Sequence, residues 1–207
     1  MLIDLTLPMQ VGSEGRRTAT SDEWELGQGK NRYTAVVYEY AFDSMAGTYL
    51  DLPGHIRETD DGVDMAGYPI ERLYRVDATV VRLNREDGSG AVGADKLIQA
   101  APEMQGGALV INALGPRRFD EIEERSVYLN EGAVAWIVES GVHLLISDIY
   151  ECVEPWGVFL ELFRNEISTV CYPVNLHQLT EPYAKVTVLP VRFPGVTQMP
   201  CRVVAET

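Results

Sequence analysis

Residues 33 to 55 constrain this chain more than any other stretch. Tyr33 to Phe42, rich in tyrosine, valine and alanine, reads as a β-strand. It leads directly into Ser44-Met45-Ala46-Gly47-Thr48-Tyr49-Leu50-Asp51-Leu52-Pro53-Gly54-His55. Glycine and proline divide this second segment into turns, and between them stand a phenol, a carboxylate and an imidazole. The chain has only three histidines, at positions 55, 143 and 177. Imidazole is the commonest general base and transition-metal ligand, so this scarcity concentrates the expected chemistry on His55 and Asp51.

The rest of the chain supplies alternating strand and helix patterns. Ile3 to Pro8 reads as a short strand, followed by a long charged loop from Val11 to Lys30 that is a candidate lid or partner-contact segment. Ala78 to Leu83 is a β-branched run ended by the turn cluster from Asn84 to Gly90. Gly93 to Ala101 is helical in pattern, Gly107 to Asn112 is a buried-strand candidate, and Leu129 to Ser140 is a helix closed by Gly141. Val142 to Ile146 and Ile167 to Tyr172 read as strands, with a short helix starting at Phe159 between them. Asn175 to Leu179 is a turn or helix start, and Lys185 to Val191 is a penultimate strand. Val196 to Val204 contains Pro200 and is expected along an edge or a bend. The mixed order predicts a single α/β domain over residues 1–207, with a mixed β-sheet and a few flanking helices.

Charge narrows the partners. Seventeen Lys and Arg against 31 Asp and Glu give a net charge of −14, which repels phosphate backbones and anionic lipid surfaces, so neither nucleic acid nor membrane is expected as a partner. Met1-Leu2-Ile3-Asp4-Leu5 lacks a basic leader, and no apolar run approaches the roughly 20 residues of a spanning helix. A soluble cytoplasmic protein is expected. Cys152, Cys171 and Cys201 have neither disulfide-framework nor CxxC spacing and read as reduced thiols.

The segment from Met45 to His55 resembles the H-x-G-T-H-x-D-x-P-x-H signature of the cyclase family, which includes bacterial kynurenine formamidase and isatin hydrolase. Gly47, Thr48, Asp51, Pro53 and His55 match it. The resemblance extends to Ile3-Asp4-Leu5-Thr6-Leu7-Pro8, Tyr68-Pro69-Ile70-Glu71-Arg72-Leu73, Gly107 to Ile111, Ala133 to Ile137 and Leu145 to Asp148, in the family's order. It implies a swivelling β/β/α-type fold. In metal-dependent members two histidines, at the positions of Met45 and Tyr49, join the aspartate at Asp51 as ligands, while the histidine at His55 serves as acid or base. A later histidine and glutamate fall at Phe159 and near Cys171. Four of five ligands are therefore replaced here. A thioether and a phenol do not substitute for imidazoles around a hard or borderline dication, so no catalytic metal and no cofactor is expected.

What remains is a set for proton transfer: Asp51 to orient and charge-stabilise His55, and Tyr49 to donate a hydrogen bond to a developing oxyanion. Met45, Thr48, Phe159, Glu161 and Cys171 are candidate substrate-binding residues around an apolar, aromatic-lined pocket. Structural readings stand beside these: Asp51 as a turn cap, Tyr49 as a core or rim aromatic, Met45 packed against ligand or core. His143 and His177 read as structural, whereas Asp148 and Glu151 at a strand end are further site candidates. The leading functional expectation is metal-independent acid–base catalysis on a small apolar carbonyl compound, by cyclisation, dehydration or rearrangement, in natural-product metabolism. An amide, lactone or formamide hydrolase with a remodelled metal site is the alternative, and a non-catalytic ligand-binding homologue is the third. The resemblance also implies a homodimer or homotetramer.

Overall fold

Four short apolar runs lie side by side at the centre of the molecule, and the rest of the chain is arranged to cover both their faces. The computed structural model describes residues 1–12, 17–83, 85, 89–118 and 121–207. In chain order its regular elements are β1 (Leu2–Asp4), β2 (Thr18–Leu26), β3 (Tyr33–Ala41), β4 (Tyr49–Asp51), β5 (Val76–Arg82), β6 (Gly90–Val92) and α1 (Ala94–Ala100). They continue with β7 (Ala108–Asn112), β8 (Val127–Leu129), α2 (Glu131–Glu139), β9 (Leu144–Ser147), α3 (Val158–Arg164), β10 (Ser168–Cys171), β11 (Tyr183–Pro190) and β12 (Gln198–Glu206). The sheet runs β12-β11-β5-β7-β9-β10-β4 and returns to β12, with β1 alongside β12, so it closes on itself. Strands β5, β7, β9 and β10 are parallel neighbours, while β11, β12 and β4 pair antiparallel. This is the mixed sheet with flanking helices that the sequence pattern predicts.

Alternate residues of each central strand serve different cores. Ala108 and Val110 join Val80, Ile146, Val170, Val186 and Val203 inside the closed sheet. Leu109 and Ile111 instead cluster with Leu97 of α1, Val134 and Ile137 of α2, and Leu162 and Phe163 of α3. Every residue of β7 is consequently buried, as a parallel strand covered on both faces requires. The Asn130 side chain accepts the Ala133 N–H at 2.9 Å and starts α2, and Gly141 (φ +73°) turns the chain after it. Asn130→Ala should cost about 1 kcal/mol, read as a lower urea midpoint with an unchanged slope.

Two expectations need correction. Residues 18–26, placed in a loop by their glycine-flanked, charge-rich composition, form β2 and pair with β3 over their full length, from Thr18 opposite Ala41 to Leu26 opposite Tyr33. The acidic side chains are compatible with a strand because no residue of either strand is buried. Strand β12 is not at an edge: β11 flanks it on one side, and β4 followed by β1 flank it on the other. Pro200 is tolerated because Cys201 donates toward β4, to the Thr48 carbonyl at 2.9 Å. The nitrogen of Pro200 therefore faces β11, whose register stops at Cys201, and no ladder hydrogen bond is lost. The expected turn from Asn84 to Gly90 lies largely outside the described residues. Among the described residues, no helix is long and apolar enough to cross a membrane.

Candidate functional site

Strand β4 is held between β10 and β12, and register decides which side chains meet. Asp51 is opposite Thr169 on one side and Gln198 on the other, and Tyr49 is opposite Cys171. Directly opposed residues share a face, and the side-chain period of two puts Tyr49 and Asp51 on the same one. Leu50 between them points into the interior of the sheet. His55 follows on the single helical turn Pro53–His55. Its Nε2 lies 3.4 Å from the Gln198 amide nitrogen, its ring meets Phe163 edge-on at 6.5 Å, and the residue is exposed.

Asp51 is only 3% exposed. One carboxylate oxygen accepts from the Cys171 thiol at 3.7 Å, and the other is buried without a hydrogen-bond partner. Burial raises this carboxyl to about 6, although nearby His55, Gln198 and Cys171 each favour its charged form. A carboxyl titrating near neutrality is suited to give and take protons. Burial also raises the Cys171 thiol and the Tyr49 phenol well above their ordinary values, with the neighbouring ionisable groups adding to the effect. Both therefore remain protonated at neutral pH, and Cys171 is not poised as a thiolate nucleophile.

Tyr49 and Cys171 also form part of the wall of a cavity of about 510 Å³. Phe159 completes this part of the wall, stacked on Tyr150 with ring centroids 5.0 Å apart. The Tyr150 hydroxyl donates to the Val170 carbonyl at 2.6 Å and accepts the Ser147 N–H at 3.2 Å, which fixes the ring. Tyr172 meets Tyr49 edge-on at 5.6 Å, and Arg125 supplies a cation to the lining. Three positions at which the family pattern has ligands, namely 49, 159 and 171, thus converge on one aromatic cavity. Asp51 and His55 do not line it; the Cys171 side chain touches both the cavity and the Asp51 carboxylate.

Other expected residues are placed elsewhere. Met45 does not pack against core or cavity: it is 48% exposed on the turn before Gly47, which has φ +70°. Thr48 is buried, but its hydroxyl is committed to the fold, accepting the Leu7 N–H and donating to the Tyr172 carbonyl, each at 2.7 Å. Glu161 is two helical positions from Phe159, which rotates it to the other side of α3; there it pairs with Arg164 beside the groove between α2 and α3. Asp148 lines the cavity but accepts the backbone N–H groups of Ala113 and Leu114 and the Asn112 amide. Glu151 accepts from Gly157 and Val158 at the start of α3. His143 Nε2 lies 3.2 Å from the Arg72 carbonyl, and His177 sits on the turn Leu176–Gln178, away from the cavity. Tyr150, Tyr172 and Gln198 are site residues that the sequence pattern did not indicate. The strand-end position of Asp148 and Glu151 pointed close to Tyr150, but nothing local marks Gln198.

The donors around Asp51 do not fit the metal that the family resemblance implies. They are one carboxylate, the exposed His55 imidazole, a buried thiol, a buried phenol and a carboxamide. Among the described residues no group of three or more His, Cys, Asp or Glu is placed to share an ion, and tightly held ions take four or more ligands.

The sequence pattern of the family described as "Putative cyclase" matches residues 3–152. No curated protein matches the chain. Among solved structures, isatin hydrolase A from Ralstonia solanacearum superposes with a TM-score of 0.72 at 19% identity, covering 99% of this chain and 91% of that one. Isatin hydrolase A from Labrenzia aggregata, bound to benzyl benzoate, gives 0.71 at 14% identity over 100% and 93%. A "potential metal-dependent hydrolase with cyclase activity" gives 0.70 at 15% identity over 100% and 98%. At these identities the likeness shows the fold alone.

Proposed function

The chain belongs to the cyclase family, and on that premise we propose that it is a metal-independent acid–base enzyme acting on a small, largely apolar carbonyl compound. The observation that carries this reading is the convergence of Tyr49, Phe159 and Cys171 on one aromatic cavity, directly beside a buried carboxyl that titrates at about 6. A flat, ring-bearing substrate fits beside the Tyr150–Phe159 stack, as a natural-product intermediate would. The Tyr49 phenol donates a hydrogen bond to the carbonyl oxygen and strengthens it as negative charge develops. Asp51, with His55 and Gln198 behind it, exchanges the proton. This requires the cavity to extend by one side chain, Cys171, so that substrate reaches the carboxylate. Ring closure, dehydration and rearrangement all use these roles.

The test compares chelator-treated wild type with His55→Ala on aromatic lactams, lactones, formanilides and cyclisable diketones. Turnover indifferent to chelator and reduced at least about a hundredfold by the substitution is expected. A requirement for added Mn or Zn, with stoichiometric metal on at least three protein ligands, would establish the remodelled hydrolase instead. One observation favours a second reading, a non-catalytic ligand-binding homologue: neither Asp51 nor His55 reaches the cavity wall. That reading predicts equal ligand affinity in wild type and His55→Ala, with no turnover in either.

A further inference from the structure

Asp148 belongs to two walls, that of the aromatic cavity and that of a smaller cavity of about 100 Å³. Residues 115–118, after β7, and residues 173–177, after β10, supply the rest of the smaller wall apart from Asn112. In a chain of net charge −14 this lining is locally basic: Arg117, Arg118 and His177 bring N–H donors against the single carboxylate of Asp148. That carboxylate is already engaged. Its oxygens accept the Ala113 and Leu114 N–H groups and the Asn112 amide at 2.8–3.1 Å. The Asn175 amide is committed too, donating to the Asp4 carbonyl at 2.9 Å. Arg117 is not fully engaged: its Nε donates to the Leu114 carbonyl at 3.2 Å, but its Nη2 is buried without a hydrogen-bond partner. Among the described residues only three buried side-chain nitrogen or oxygen atoms are orphaned in this way, and another is an Asp51 oxygen of the candidate site. None of the ion pairs among the described residues includes Arg117.

Guanidinium groups keep their charge in proteins, and a buried donor left without an acceptor is costly, more so when it is charged. We infer that this smaller cavity binds a phosphate group, with Arg117 as its principal donor and His177 as a second. Size supports that ligand: the volume is that of about three water molecules, room for one small oxyanion and not for an organic ring. The direction of the donors supports it as well. They come from two separate elements, the loop after β7 and the turn after β10, whereas a planar carboxylate is already satisfied by a single guanidinium fork. A tetrahedral anion, with acceptors on all sides, uses both. The overall negative charge does not decide against it, because exposed charges more than about 10 Å away are largely screened at 0.1 M salt, and contacts inside the cavity are not. The inference is independent of the chemistry in the aromatic cavity, which this site meets only at Asp148.

Calorimetric titration with inorganic phosphate, at fixed ionic strength and in a buffer without other oxyanions, tests it on wild type, Arg117→Gln, Arg117→Lys and Arg164→Gln. Wild type should bind one phosphate per chain in the millimolar range or tighter. Arg117→Gln should bind at least about tenfold more weakly, and Arg117→Lys should recover part of that loss. Arg164→Gln, which removes an exposed cation paired with Glu161 on α3, should change nothing. Circular dichroism and the urea midpoint of each variant establish that it is folded. Tungstate soaked into crystals of wild type gives a check that needs no variant: its anomalous signal should lie beside Arg117 Nη2. Methyl phosphate separates two sources of the ligand. Bound as well as inorganic phosphate, it assigns the site to the phosphate end of a larger molecule; excluded, it assigns the site to the free ion. Absence of phosphate binding at tens of millimolar, undiminished binding by a folded Arg117→Gln, or acetate bound as tightly as phosphate would each overturn the proposal.

Discussion

Asp51→Asn should abolish activity while making the protein more stable. The carboxyl titrates at about 6 instead of the ordinary 3.8 because burial disfavours its charge more than His55 favours it. The folded chain therefore keeps this proton at pH values where the unfolded chain has released it. Stability falls as pH rises from 3.8 to about 6 and stays lower above that point. An amide of nearly the same shape removes the penalty. The expected gain is on the order of 2 kcal/mol at pH 8, or roughly 5 °C in Tm for a chain of this size, with no gain at pH 3. Turnover should fall at least about a hundredfold, because the amide neither takes nor gives the proton. Thermal melts of both proteins at pH 3, 5 and 8 check the first statement, and steady-state kinetics check the second. Equal stability at pH 8 would mean that the carboxylate is already compensated, and would remove the basis for its role as a proton carrier.

Gly106→Ala should have the larger effect on the fold. Gly106 lies between α1 and β7 with φ +78°, and a Cβ built on it would lie 2.0 Å from the Asp77 carbonyl oxygen of β5. Two penalties coincide there: a left-handed backbone that L side chains rarely adopt, and a collision with main chain in a central strand, which has no room to yield. A Cβ built on the neighbouring Gly107 would lie 2.3 Å from the His143 ring, a side chain in place of main chain. A loss of about 3 kcal/mol or more is expected, seen as a fall in the urea midpoint or as recovery only in inclusion bodies. A change below about 0.5 kcal/mol would show that the β5–β7 approach is looser than described.

The elements visible in the sequence were those whose burial is decided locally. Gly107 to Asn112 and Val142 to Ile146 are apolar runs because both faces of their strands are covered, and the helix after Asn130 announces itself by its cap and by Gly141. Strand β2 was not visible because its acidic and threonine side chains belong to a ribbon whose partner is β3 and not the core. The interior position of β12 was hidden because Pro200 is excused only by where β11 stops. Within the site, the family pattern pointed to Tyr49, Phe159 and Cys171, which the fold brings to one cavity. Glu161, expected beside them as a substrate-binding residue, is kept away because helical rotation separates residues 159 and 161. Gln198 could not have been anticipated, since only cross-strand register brings it opposite Asp51.

The closing of the sheet by β12 onto β4 has a consequence for biogenesis. Gln198 trails His55 by 143 residues, so a ribosome delivers the first half of the site long before the second. Until Ser168–Cys171 are made β4 has neither of its flanking strands, and until Gln198 onward are made it has only β10; an unpaired edge invites pairing with neighbouring nascent chains. Rapid overproduction should therefore yield insoluble material, and slowed translation or added holdase should recover soluble protein.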